Sequence, residues 1–351
     1  MKSNTIIILT GNDNFFGQTR KPWVSMDADK MQNIFCEHGF DVEKYSFHEI
    51  LNQRKRIKDS IIFYTFSQKI NRRDYIKDLV HYLDDGSNIL IPSYDLLLCH
   101  ENKGFQELYK KRINLTSLNS YYFSSLNELS CYAINFPIVF KTVDTSNGRG
   151  VFLVKSTNEL VKLIQKLERQ TVFTGLDLVR RKYFRRKKSY KEYPDYSNRK
   201  DYYQYKDYIL KEENFILQEF VPDLPFFYRV LTLYDKYYVM RRFNRKSDFR
   251  ASKTKKEYDI EFDYRLLDYA KEVYNRFDTP FLSLDIGLHQ NKYYLFEFQA
   301  LHFGIGPFVR SVGYYTYDNH NWRFNPNKRR PDIEIEIANA FVKYVNARYI
   351  S

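Results

Sequence analysis

The sequence predicts a mixed α/β chain whose N-terminal part is a small parallel α/β unit and whose remainder is built from hairpins. Three observations predict this. Over residues 4–92, β-branched apolar runs alternate with segments of helical spacing, the pattern of strands joined by crossover helices. Beyond residue 135 the apolar runs come in pairs divided by short polar turns. Finally, Phe281–Gly304 carries an acid inside each of two paired runs, Asp285 and Glu297. A carboxylate in an apolar strand is costly unless something pairs with it.

Composition sets the outer bounds. The chain has 351 residues, 43% of them hydrophobic. That is enough for two or three packed subdomains. The mean hydropathy of −0.59 belongs to a globular chain, and the apolar runs Thr5–Thr10 and Ile61–Thr65 are strand-sized, far short of a membrane span. A single Lys precedes the first run, with no long apolar h-region, so the N-terminus does not resemble a signal peptide. Cys36, Cys99 and Cys131 are odd in number and lack CxxC spacing, which points to a reducing, cytoplasmic setting without disulfides or a zinc site. The formal charge of +13 and the pI near 9.3 point to anionic partners: nucleotide phosphates, an acidic sugar, nucleic acid or a membrane surface.

Taken in order, Asn4–Leu9 reads as a strand and Met26–His38 as a helix with Ser25 as its N-cap. Phe40–Tyr45, Ser60–Thr65 and Asn88–Pro92 read as strands, and Asp74–Leu83 as a helix. No GxGxxG occurs, so dinucleotide binding is not expected. Leu96–Tyr109 contains His100, Glu101, Asn102 and Lys103 at the opening of a helix. The strands Phe136–Lys141 and Val151–Lys155 flank Thr142–Gly150, a polar loop ending in Gly148, Arg149 and Gly150. Glycines there let backbone N–H groups approach phosphate oxygens, although an ordinary hairpin turn explains the same pattern. Thr157–Glu168 reads as a helix.

The segment 175–212 crowds Arg180, Arg181, Lys182, Arg185, Arg186, Lys187 and Lys188 before a run of tyrosines. It is a solvated insertion, a docking surface for an acidic substrate or polymer, or a single-stranded nucleic-acid surface. Asn214–Val221 is then a strand interrupted by Gln218 and Glu219, and Phe227–Leu233 with Tyr237–Arg242 forms a hairpin. Tyr264–Phe277 and Ile333–Tyr349 read as helices.

In the run Phe281–Gly304, Glu297 and Gln299 share one strand face. A three-residue turn, Gln290–Lys292, places His289 opposite Tyr293 and Asp285 opposite Glu297. Three oxygen-bearing side chains then meet, a set suited to a hard divalent cation. A two-residue turn sends the acids to opposite faces. His302, beyond Gln299, is read as a structural neighbour of this strand, with proton transfer as the alternative.

Assembled in this order, the pieces over about Asn102–Gly304 resemble the ATP-grasp superfamily, and in particular its carboxylate–amine ligases of the glutathione synthetase-like and RimK-like type. The resemblance implies a Rossmann-like pre-ATP-grasp domain over residues 1–97. A two-lobed ATP-grasp fold follows, with lobes 98–217, containing the insert 175–212, and 218–351. It implies that Lys103 and Lys141 hold ATP, that Gly148, Arg149 and Gly150 close over its phosphates, and that Gln218, Glu219, Phe220 and Val221 are the strand reading adenine. Arg229 and Arg250, the latter in Asp248–Phe249–Arg250, match the family's arginines that face the transferred phosphoryl, and Arg242 or its neighbour Arg241 is expected beside them. Asp285 and Glu297 match its two acids for Mg²⁺ (or Mn²⁺). Gln299 stands where Asn is usual, with the same amide oxygen on a longer side chain. Tyr228 replaces an acid common before the Arg229 position, leaving Asp223 as the substitute ribose contact. The activity implied is amide formation from a carboxylate and an amine, small or polymer-linked, through an acyl phosphate. A small-molecule kinase and a non-catalytic polyanion-binding protein are the alternatives, and the basic insert is a place for an anionic substrate.

Overall fold

A computed structural model describes residues 4–17, 21–53, 55–115, 118–144, 150–167, 172–184 (172 and 173 in backbone only), 194–196, 198–209, 213–244, 255–258 and 260–350. The chain divides into two compact units, one formed from Met1–Leu118 and Val221–Ser351, the other from Asn119–Thr145 and Arg149–Phe220.

The first unit begins with the parallel sheet that alternation of strands and helices predicts. Its strands are β1 (Thr5–Thr10), β2 (Asp41–Ser46), β3 (Ile61–Tyr64) and β4 (Ile89–Ile91), in the order β2-β1-β3-β4. The β1 run is almost continuously apolar because both sheet faces are covered. Ile6 and Ile8 enter one buried cluster with Phe63, while Ile7 and Leu9 enter another with Ile62 and Tyr64. The first helix is Ala28–Glu37, and its cap is Asp27, not Ser25 as the sequence suggested. The Asp27 carboxylate accepts from the Lys30 backbone N–H at 2.9 Å, whereas Ser25 Oγ accepts from Phe16 N–H. Met26 before the cap and Met31 in the helix are both buried in the same cluster, an apolar staple that fixes where the helix starts. A short helix, Phe47–Asn52, follows β2, and the helix expected over Asp74–Leu83 begins earlier, at Ile70.

The second unit holds an antiparallel sheet of β5 (Ser120–Phe123), β6 (Ile138–Thr142), β7 (Val151–Val154) and β8 (Phe215–Glu219), ordered β5-β8-β6-β7. The amphipathic helix Thr157–Leu167 sets Leu160 and Ile164 against Phe140 and Phe215 of that sheet. In the insert, helices occupy Val172–Val179 and Arg199–Tyr208. They are braced by Arg181, whose guanidinium donates to Asp177 at 2.8 Å and to Tyr196 at 3.0 Å and lies over the Tyr205 ring. Arg185, Arg186, Lys187 and Lys188 fall outside the described residues.

Returning to the first unit, β9 (Phe226–Leu233), β10 (Lys236–Phe243), the short β11 (Lys256–Glu257), β12 (Phe281–His289), β13 (Lys292–Gln299), β14 (Gly313–Asp318) and β15 (Asn321–Pro326) form the largest sheet. Its order is β13-β12-β9-β10-β14-β15, with β11 paired to β10. The hairpin β14–β15 was not expected from the sequence, since its strands carry no aliphatic residue; its one apolar face is aromatic, with Tyr315 opposite Phe324 and Tyr317 opposite Trp322. Alternation sorts the sheet into two faces. Val230, Leu282, Leu284 and Ile286 pack with the helix Arg265–Tyr274, whereas Leu231, Leu233 and Phe281 join Ile6, Phe63 and the C-terminal helix Ile333–Val345.

Candidate active site

The site is built on the hairpin β12–β13. Its turn is two residues long, Gln290 and Asn291, both with positive φ (47° and 63°), and His289 pairs with Lys292. This corrects the expected three-residue turn. A two-residue turn with both φ positive matches the right-handed twist of the flanking strands. The opposition that the three-residue count required is nevertheless present, because the register shifts once. Ile286 pairs with Leu295 but Asp285 pairs with Glu297, so Phe296 is an extra residue in β13. This β-bulge brings the two acids opposite each other, and Ser283 opposite Gln299.

The neighbouring strand β9 sets Arg229 directly beside Asp285. Arg229 donates Nε to Oδ1 and Nη2 to Oδ2 of Asp285, each at 2.7 Å, a two-pronged pair. Arg242, from β10, donates Nη1 to the same Oδ2 at 3.1 Å. Burial pushes the Asp285 carboxyl up, but the two guanidiniums more than offset that and hold it below the ordinary carboxylate range. Burial also works against the Arg229 charge, yet Asp285 and then Glu297 keep its pKa raised. After β13 the chain turns through His302 and Gly304, both with positive φ. A Cβ on Gly304 would lie 3.3 Å from Arg229 Nη1, so only glycine lets the backbone come this close without displacing the guanidinium.

Among the described residues, no three His, Cys, Asp or Glu side chains lie close enough to hold a metal. The hairpin instead offers two carboxylates, Asp285 and Glu297, with the Gln299 amide one strand position further on the same face. An oxygen-only set of this kind fits a hard cation. The two guanidiniums on Asp285 demonstrate that positive charge is accommodated there.

The other sequence-derived residues fall in separate places. Lys141 on β6 donates Nζ to Gln218 Oε1 on β8 at 2.7 Å, so these two meet in the second unit. Gln218 is buried, and the Glu219 carboxylate turns to accept from Asn119 N–H at 3.1 Å. Phe220 ends that unit and the buried Val221 resumes the first. Lys103 opens the helix Lys103–Arg112, capped by Asn102, in the first unit. A cation at this end opposes the helix dipole, so helix stability does not account for its position. Gly150 has a positive φ of 70°, while Gly148, Arg149 and Arg250 lie outside the described residues. Asp223 is an exposed residue with positive φ.

Two buried polar groups had no functional role in the sequence analysis. His100 is buried and its Nε2 has no hydrogen-bond partner; Ser283 Oγ, across from Gln299, is likewise buried without one. His100 was expected at the opening of a helix within Leu96–Tyr109 but caps the end of the helix Tyr94–Cys99, a place with no periodic signal of burial. Ser283, alternating with Asp285 on an apolar strand, carried such a signal.

No family model matches the chain, and no curated protein matches it. Solved structures to which it is similar include ATP-grasp ligases. D-alanine–D-alanine ligase from Bacillus anthracis is 10% identical, with a TM-score of 0.43 over 85% of this chain and 86% of that one. The L-amino acid ligase from Bacillus licheniformis is 13% identical, with a TM-score of 0.44 over 86% and 69%. The ATP-grasp ligase PsnB, solved with a minimal precursor, is 9% identical, with a TM-score of 0.49 over 98% and 100%.

Proposed function

We propose that the protein is an ATP-dependent carboxylate–amine ligase that works through an acyl phosphate. The observation that supports this reading most is the opposition of Asp285 and Glu297 across a bulged hairpin, with Arg229 and Arg242 on the same face. Phosphoryl transfer to a carboxylate brings anions together, so it calls for acids that hold a divalent cation and for fixed guanidiniums beside them.

In this proposal Asp285, Glu297 and the amide oxygen of Gln299 hold Mg²⁺, with Mn²⁺ as a substitute, and the metal supplies charge neutralisation at the β- and γ-phosphates when bound. Arg229 and Arg242, joined by Arg250, orient the acceptor carboxylate and offset charge on the transferred group. Lys103, Lys141 and the loop residues Gly148, Arg149 and Gly150 neutralise and cover the phosphates. Gln218, Glu219, Phe220 and Val221 present backbone and side-chain polar atoms to the adenine edge. A carboxylate oxygen attacks the γ-phosphorus and the bond to the β-phosphate oxygen breaks, releasing ADP. The amine nitrogen then attacks the acyl carbon, the carbon–oxygen bond to phosphate breaks, and the amine proton leaves with the released phosphate or to water. No covalent enzyme nucleophile is needed.

The test is ADP release with Mg²⁺ across pooled acids and amines, with mass spectrometry of the products. ADP formed only when an acid and an amine are both present is the expected result. ADP formed with an alcohol acceptor alone replaces ligation with a kinase reaction.

A further inference from the structure

The N-terminal sheet has the order β2-β1-β3-β4, so successive crossovers leave β1 in opposite directions and the chain reverses between β1 and β3. In open parallel sheets the crevice outside the carboxyl ends at such a reversal is where ligands bind. Here those ends lead into Gly11–Gly17 and Thr65–Gln68, tied together by Gly17 N–H donating to Thr65 Oγ1 at 2.8 Å. Phe66, which follows β3, is flanked by two imidazoles: His100 at 4.9 Å and His302 at 5.6 Å between ring centroids.

The position of His302 follows from its neighbours. Leu301 enters the apolar cluster on the Ile7–Leu9 face of the sheet, whereas Phe303 enters the cluster on the Ile6–Ile8 face. The chain from β13 therefore passes across the carboxyl end of the parallel sheet, and His302 is the residue at the crossing. Its φ of 47° is a strained value for a non-glycine residue, held by the packing on either side. Two residues later Gly304 abuts Arg229. One short stretch of backbone thus joins the guanidiniums at Asp285 to the end of the parallel sheet.

The two imidazoles at that end are uncharged, although the cations Arg73 and Lys77 act on His100. Burial, with His302 and then Arg73 and Lys77 adding to it, pushes the His100 imidazolium down to about 3; burial also lowers His302. Both are neutral imidazoles at neutral pH, each with one donor and one acceptor nitrogen. His100 Nε2 and Gln68 Nε2 are buried with no hydrogen-bond partner, a costly state for a polar atom unless a ligand completes it. Neutral groups that both donate and accept suit hydroxyls, while the paired guanidiniums suit a carboxylate.

We propose that His100 and His302 bind hydroxyl groups of the acceptor acid, whose carboxylate is held at Arg229 and Arg242, so that the acid substrate is a hydroxylated, sugar-type carboxylic acid. This rests on the ligase reading for the role of the arginines. The probes are D-glucuronate, L-glutamate and hexanoate, titrated calorimetrically into the full chain with Mg²⁺ and a non-hydrolysable ATP analogue. Glucuronate is expected to bind at least about tenfold more tightly than the other two, the worth of one good hydrogen bond or more. His302→Phe and His100→Phe are each expected to remove about tenfold from glucuronate affinity, and His302→Gln to restore part of it. In the unmodified protein, glucuronate is expected to move the imidazole ¹⁵N resonances of both histidines, a readout that does not depend on any variant folding. Glutamate or hexanoate binding as well as glucuronate, absent glucuronate binding, unmoved resonances, or unchanged affinity in both Phe variants would each overturn the assignment. Failure of every acid–amine pair to yield ADP sinks the ligase reading instead, and glucuronate binding is scored apart from it.

Discussion

The ring of Phe296 fills the space that a side chain on Gly287 would need: its Cε2 lies 2.6 Å from where a Cβ would be. Phe296 is the extra residue of β13, so the glycine accommodates the bulge that sets Asp285 opposite Glu297. Gly287→Val should force the ring out and cost about 1–3 kcal/mol. Thermal unfolding checks the stability, and ADP formation should fall with it. If activity survives unchanged, the bulge is not what positions the acids.

Asp285 carries two guanidiniums on one carboxylate. Asp285→Ala leaves buried positive charge uncompensated and should destabilise by about 3 kcal/mol or more. The pH dependence has a definite direction. The folded carboxyl is held below its unfolded value of about 3.9, so its contribution is fully present above that pH and is lost as pH falls below it. Denaturant unfolding from pH 7 to pH 2 should show a shallower acid limb for Asp285→Ala than for the parent protein.

Because both Asp285 oxygens already accept from arginine, Mn²⁺ has to compete with bound cations for this ligand. Electron paramagnetic resonance should find Mn²⁺ binding at least about tenfold tighter with a non-hydrolysable ATP analogue present, since phosphates offer the arginines another partner. Glu297→Ala should abolish the nucleotide-dependent component and lower turnover by about 10²–10³, with the fold retained. Equal Mn²⁺ affinity with and without the analogue would contradict the competition.

His100 imposes a second pH dependence, in a higher range. Its folded pKa of about 3 lies under an unfolded value of about 6.5, so the unfolded chain binds the extra proton and stability falls as pH drops below 6.5. At pH 5 the loss should be about 2 kcal/mol. His100→Phe should remove that part of the slope between pH 7 and pH 5 in urea unfolding, whatever it does to stability at pH 7.

The parallel sheet was legible because both its faces are covered, which makes β1 and β3 continuous apolar runs. Asp285 and Glu297 were legible because acids stand out in apolar strands. The bulge was not, although Gly287 inside a strand was its trace: turn length alone cannot reveal a register shift further along the hairpin. The hairpin Gly313–Pro326 escaped because its packed face is aromatic and without aliphatic residues, and His100 because a single residue in the link between two helices leaves no period to read.

The stretch from Gln299 to Gly304 begins at a metal-ligand candidate, crosses the end of the parallel sheet at His302 and finishes against Arg229. Anchors at Leu301 and Phe303 lie in cores on opposite faces of that sheet, so under the proposed function the sheet ends would be free to change for a different acid while the anchors hold the backbone beside Arg229. On the proposed reading, acid selectivity at His302 and metal binding at Gln299 would be separated by only about three residues of backbone.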